Sequence, residues 1–203
     1  MIIGVTGTLA SGKSAVARLI ASSKDAKLLV ADKITHSIIE DDKEVSSHLI
    51  SLFGRHILDK EGKINRKKLA EIVFSDREKL KTLCRVVHPR VIGKIKDSTQ
   101  KELDKNKKAF VVIDAPLLLE AGLEDFCDSV IVVTSSIENI LSRAHRHNGL
   151  SEKEALKRIR AQMPISEKIK HADFIIYNDG TLKELESQIN EISKKIRPSP
   201  RLP

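Results

Sequence analysis

The 203 residues, 40% hydrophobic and 32% charged, suffice for one globular unit with inserted subdomains but not for several separate domains. A formal charge of +8 and a pI near 9.4 favour polyanionic partners. One Tyr, five Phe and no Trp leave little for stacking bases. Nucleic acid is therefore excluded as the expected partner, and phosphorylated small molecules are preferred.

In chain order, MIIGVTG enters a short apolar run and a glycine turn without the basic start of an export signal. No later run approaches the roughly 20 apolar residues of a membrane span. No membrane partner and a cytoplasmic location are expected. Residues 2–5 read as a buried strand, followed by a helix with Val16, Leu19 and Ile20 on one side. A second apolar run, 28–31, ends at Asp32. From 33 to 108 no comparable run occurs, and the spacing of Ile34, Ile38, Leu49, Leu69, Ile72, Val73, Leu80 and Leu83 predicts a helical insertion. A turn between Phe53-Gly54 and Gly62 interrupts it, and the basic stretch 101–108 reads as a solvated helix end.

Runs 110–113, ending at Asp114, and 130–133, ending at Thr134, are again bare and apolar, as strands covered on both faces are. Then come a helix with Ile137, Ile140, Leu141 and Ala144 on a face, and one opened by Ser151 and Glu154 in a capping box. Residues 174–177 return to strand character. A last helix, boxed by Thr181 and Glu184, is expected to bury Leu182, Leu185, Ile189 and Ile192, with a disordered tail at 198–203. Five strands alternating with helices predict an α/β fold with an open parallel sheet, whose ligands lie beyond the carboxyl ends of the strands. Cys84 and Cys127 lack metal or disulfide spacing and read as reduced, buried thiols.

Gly7 to Ser14, GTLASGKS, fits GxxxxGK[ST] between a strand and a helix, the context in which this loop binds nucleotide phosphates. Free N–H groups at the helix start can ring a phosphate. The expected nucleotide contacts are therefore Thr8, Leu9, Ala10, Ser11, Gly12, Lys13, Ser14 and Ala15. Lys13 supplies charge on the terminal phosphates of ATP, and Ser14 a hydroxyl for Mg²⁺. Ala10 stands where such loops commonly carry glycine, which is tolerable if its φ stays below zero. A guanine-reading NKxD element is absent, since Asn106-Lys107-Lys108 runs into Ala109.

Asp32 has two readings: a general base for a hydroxyl group, or an N-cap for the following helix. Asp114 likewise reads as a second Mg²⁺ ligand, through water, or as a strand-end cap near Pro116. His88 is a ligand contact or a histidine at a helix end before proline. His145 and His147 are not spaced for a helical metal site.

Ala31-Asp32, Phe53-Gly54, Asn65-Arg66 with Leu69, Ile72-Val73-Phe74, His88-Pro89 and Pro116-Leu117-Leu118-Leu119-Glu120 follow one another along the chain. Arg158-Ile159, Gln162-Met163-Pro164, Lys168, Ala172-Asp173 and Asn178 close the series. In this order, over nearly the whole length, the sequence resembles the dephospho-CoA kinases. Val30 departs from that family's pattern, where an Asp often stands, leaving Asp32 as the base.

The resemblance implies a P-loop NTPase, nucleotide-kinase-like core at 1–32, 109–135 and 167–197. It further implies a helical CoA-binding insertion at 33–108 and a lid at 136–166. ATP and Mg²⁺ would serve phosphate transfer to the ribose 3′-hydroxyl of dephospho-CoA by a monomer. Arg66, His88, Pro116, Leu117, Leu118 and Glu120, with Asp32, would bind the acceptor, and Arg143 and Asn178 the nucleotide. The family's lid arginine, four residues after the match to Arg143, falls on His147 here. Arg146 beside it is the preferred substitute, because guanidinium keeps its charge and binds phosphate bidentately. The competing readings are another P-loop nucleotide or metabolite kinase and an ATP-gated switch.

Overall fold

The computed structural model describes residues 1–196, so the tail expected at 198–203 lies outside the described residues. Five strands form one parallel sheet in the order β2-β3-β1-β4-β5. They are β1 Ile2–Gly7, β2 Lys27–Val30, β3 Val111–Asp114, β4 Ser129–Thr134 and β5 Phe174–Tyr177. Helix α1, Lys13–Ser23, links β1 to β2. Four helices, α2 Ala31–Asp41, α3 Lys43–Phe53, α4 Arg66–Val73 and α5 Arg77–Lys105, fill the path from β2 to β3. Helices α6 Ile137–Asn148, α7 Glu152–Ala161 and α8 Ile165–Lys170 fill that from β4 to β5, and α9, Leu182–Lys195, ends the described chain.

The period of two along each strand divides the core. Ile2, Leu29, Val111, Ile113, Val130 and Val132 face one cluster with Leu49, Leu69, Val73, Val87 and Ile95 from α3 to α5. Ile3, Val5, Val112, Ile131, Val133 and Ile176 face the other, with Val16 and Ile20 of α1 and Leu185 and Ile189 of α9. Each fully buried Val or Ile contributes about 1.5–3 kcal/mol. The helical insertion thus shares its core with one face of the sheet.

Both capping boxes, Ser151 with Glu154 and Thr181 with Glu184, are present. Four expectations need correction. Helix α2 starts at Ala31, so Asp32 lies in its first turn; the cap position is Val30, with no side-chain capping bond. His88 and Pro89 lie inside the 29-residue α5, not at a helix end; a proline there lacks the N–H that the Arg85 carbonyl would otherwise receive. Leu182 is 63% exposed and Ile137 is exposed as well, so neither is core.

Candidate active site

The register brings three strand ends together. Val30 of β2 lies opposite Asp114 of β3, and Asp114 opposite Val5 of β1. The phosphate loop leaves β1 two residues further on, so Asp32, Asp114 and the loop converge beyond the carboxyl edge of the sheet. There opens a cleft of about 980 Å³, lined by Leu9, Ala10 and Gly12 to Ala15 of the loop region. Its volume suits a ligand larger than a nucleotide alone.

Within the loop, Ser11 N donates to Thr8 O (3.2 Å), and Asn178 Nδ2 donates to Ser11 O (2.8 Å). Gly12 adopts φ +93°, and a Cβ there would collide with Asn178 Nδ2. The glycine serves both backbone conformation and close approach. Ala10 has φ +55°, in the left-handed region, against the expectation of a negative value; an L-residue there carries roughly 1–2 kcal/mol of strain. Thr8 and Ser11 are buried and their side chains do not line the cleft.

Lys13, Ser14 and Asp32 line the cleft together. Asp32 is open to the cleft but crowded by protein on its other sides. Lost hydration raises its pKa above the usual carboxylate value; Lys13 opposes this, Asp114 adds to it and His36 opposes it. Asp114 is 3% exposed, and its Oδ1 is buried without a protein partner, so the strand-end cap does not account for it. A buried carboxylate oxygen and the Ser14 hydroxyl form the oxygen donor set that Mg²⁺ prefers, and the residues fit that ion.

Across the cleft stand Arg143, His147 and Asn148 of α6 and Arg158 of α7. Arg143 donates to Asn178 O (2.7 Å) and Ser135 Oγ (3.2 Å), joining α6 to the loops after β4 and β5. Arg146 is exposed and does not line the cleft, whereas His147, one turn from Arg143, does. The cleft-facing side of α6 thus carries His147, the other candidate, and not Arg146. Arg66 lines the cleft and pairs with Glu40 (3.5 Å). His88 lines it too; burial pushes its pKa below the ordinary value, with Glu120 opposing, which favours a neutral ring at neutral pH.

The loop after β3 divides. Pro116 and Leu117 line the cleft, but Leu118 is 0% exposed and packs against Gly4, where a Cβ would meet Leu118 Cδ1 at 2.7 Å. Leu118 is therefore core, not a substrate contact. Glu120 also lies off the cleft lining. It accepts from Lys168 Nζ (3.0 Å) and Met163 N (2.8 Å), and Lys168, itself 0% exposed, donates to Pro116 O as well (2.7 Å). Burial lowers the Lys168 pKa, with the Glu120 charge and hydrogen bond opposing. This buried pair ties α8 to the loop that carries Pro116. Its charges gave no functional signal of their own in sequence, since lysine and glutamate abound in the chain.

A parallel sheet with the phosphate loop after its central strand, an acid at the end of β3 and basic helices facing the loop make this a P-loop kinase. The dephospho-CoA kinase family model matches residues 1–184. A dephospho-CoA kinase of Fusobacterium nucleatum is 42% identical over 196 residues, covering 97% of this chain and 98% of that protein. A crystal structure from Thermus thermophilus superposes with a TM-score of 0.76 at 34% identity, over 97% of this chain and 98% of that one. The dephospho-CoA kinase of Campylobacter jejuni gives 0.65 at 35%, over 96% of each chain. The chain belongs to the dephospho-CoA kinase family, and it catalyses the ATP-dependent phosphorylation step of coenzyme A synthesis. No described helix is long and apolar enough to cross a membrane.

Proposed function

We propose that Asp32 is the general base that takes the proton of the ribose 3′-hydroxyl of dephospho-CoA while that oxygen attacks the γ-phosphorus of ATP in line. The observation that carries this reading is the sharing of one cleft wall by Asp32 and Lys13, close enough for each charge to act on the other. Lys13 and the free amides at the start of α1 receive the charge that accumulates on the phosphoryl oxygens. Ser14 and Asp114, the latter through water, would hold Mg²⁺, which supplies further charge neutralisation at the phosphates. Asp32 orients the hydroxyl and accepts its proton, and the bond to the leaving ADP oxygen breaks as the new P–O bond forms.

Residues 33–108 bind the acceptor through Arg66 and His88, while Pro116 and Leu117 extend its wall. Residues 136–166 act as the lid, and 1–32, 109–135 and 167–197 as the nucleotide core. Arg143 and Asn178 serve the nucleotide, and lid closure excludes water that would compete with the ribose hydroxyl. The enzyme works as a monomer in the cytoplasm, with ATP and dephospho-CoA as partners and no nucleic acid or membrane.

The test is ADP release measured with and without dephospho-CoA, for wild type and Lys13→Ala. Release that requires the acceptor and falls at least about 10²-fold in the variant, with the fold retained by circular dichroism, is expected. Release independent of acceptor, or full activity in the variant, overturns the assignment.

A further inference from the structure

We infer that Gln162 selects the acceptor, its side-chain amide reading the amino edge of the adenine in dephospho-CoA; this rests on the function proposed above. Gln162 follows α7 directly, is 8% exposed, and lines the cleft. Its Oε1 is buried and has no hydrogen-bond partner in the protein. Buried carbonyl oxygens are nearly always paired, so an unpaired one on a residue that lines a ligand cleft marks a place where a bound ligand can supply the donor once the amide turns to meet it.

The backbone on both sides is pinned. Gln162 N donates to Ile159 O (3.2 Å), and Met163 N donates to Glu120, which Lys168 holds in turn. The side chain is thus carried on a fixed stem.

Its place in the fold indicates which ligand it meets. Ala161 and Met163, its neighbours in sequence, pack on the cluster that contains Leu69, Val73, Leu80 and Val87 of the insertion. The loop after β5, with Asn178, leads instead into α9, whose Leu185 belongs to the opposite face of the sheet. Gln162 therefore sides with the acceptor half. The N–H donors of dephospho-CoA are the adenine amino group and the two amides of its pantetheine arm. A carboxamide pairs with adenine through two bonds, accepting from the amino group and donating to the adjacent ring nitrogen. The same cleft is lined by Phe74 and Arg158, the guanidinium 5.0 Å from the ring centroid.

The experiment compares dephospho-CoA with its counterpart carrying unsubstituted purine, which lacks the amino group, in wild type and Gln162→Leu. Wild type is expected to lose about 10- to 100-fold in kcat/KM on the purine acceptor. Gln162→Leu should lose a similar factor on dephospho-CoA, mostly in KM, and treat the two acceptors within about threefold of each other. Its KM for ATP should be unchanged and its Tm no lower than wild type, since the native amide has no protein partner to lose.

A third acceptor, ADP-ribose-like and without pantetheine, separates the two donor sources. A Gln162→Leu defect that persists on it supports adenine, and one that disappears assigns the contact to pantetheine and overturns the inference. Should the variant not fold, equal kcat/KM of wild type on the amino and purine acceptors overturns it alone. A wild type that phosphorylates none of these acceptors overturns the proposed function, and with it the inference. Normal turnover of dephospho-CoA with undiminished discrimination in Gln162→Leu overturns only the role of Gln162.

Discussion

Asp32 carries a charge that the folded chain does not favour. Although Asp32 is exposed at the cleft, its carboxyl is raised above the ordinary 3.8, first by the hydration that the surrounding protein displaces, with Lys13 opposing, Asp114 adding and His36 opposing. Because the folded pKa exceeds the unfolded one, the native state binds the proton more tightly, and stability falls as pH rises through the interval between them. Asp32→Asn is therefore expected to raise Tm at pH 7, with the difference vanishing below the ordinary carboxylate pKa, while kcat drops by about 10²- to 10⁴-fold at unchanged ATP affinity. A Tm lower than wild type at pH 7, or an undiminished kcat, would return Asp32 to a structural role. At this scale the sequence is most legible where a residue type has few alternative uses. Lys13 in its loop and Asp32 after an apolar run could be found without coordinates. Leu118 could not be told from Leu117, because which of two adjacent leucines turns inward depends on the packing of the loop against Gly4. Gln162 stood within a quoted motif, but only the absence of a partner for Oε1 gives it chemistry.

Helices and strands differ in how openly they announce themselves. The five strands were legible because a parallel strand covered on both faces is a bare apolar run, and each lies within a residue or two of its expected place. The insertion was legible only as helical. Its divisions are made by Asp42, Asn65 and Asp76, whose side chains accept from backbone N–H groups at the starts of α3, α4 and α5. Such residues are signals for caps, yet the two aspartates do not stand out among 28 acidic residues, nor Asn65 among the polar residues around it. In α6 the helical period decides which residues reach the cleft: Arg143 and His147, four apart, share the face that lines it, and Arg146 is turned about 100° away from His147. His147→Ala is expected to lower kcat about 10-fold, and Arg146→Ala to change it less than about twofold. His147→Arg, which places a guanidinium able to bind phosphate bidentately on the same face, should retain at least wild-type activity. A large loss confined to Arg146→Ala would show that the lid rotates on closure and presents the other face.

Across the whole molecule, the sheet divides the work. The residues proposed to meet the acceptor, Arg66 and His88, come from helices packed with one face of the sheet, whereas the loop bearing Asn178 leads into α9 on the other. The phosphate loop leaves the central strand between them, so on the proposed assignment the two ligands would meet only where phosphate is transferred. Contacts remote from that meeting point should therefore affect one ligand and not the other. Arg66→Ala and His88→Ala are expected to raise KM for dephospho-CoA by about 10-fold and to leave KM for ATP within about twofold. Arg143→Ala should do the reverse, since its guanidinium holds the carbonyl of Asn178 and the hydroxyl of Ser135 at the nucleotide side. The measurement is initial rate over a grid of both substrates, with Tm for each variant. A parallel rise in both KM values at unchanged Tm would mean that the halves close as one body around both ligands, since a local defect would then reach both through the shared lid. The same rise with a lowered Tm would mean instead that the insertion, which shares its core with the sheet, cannot be perturbed without loosening the site as a whole.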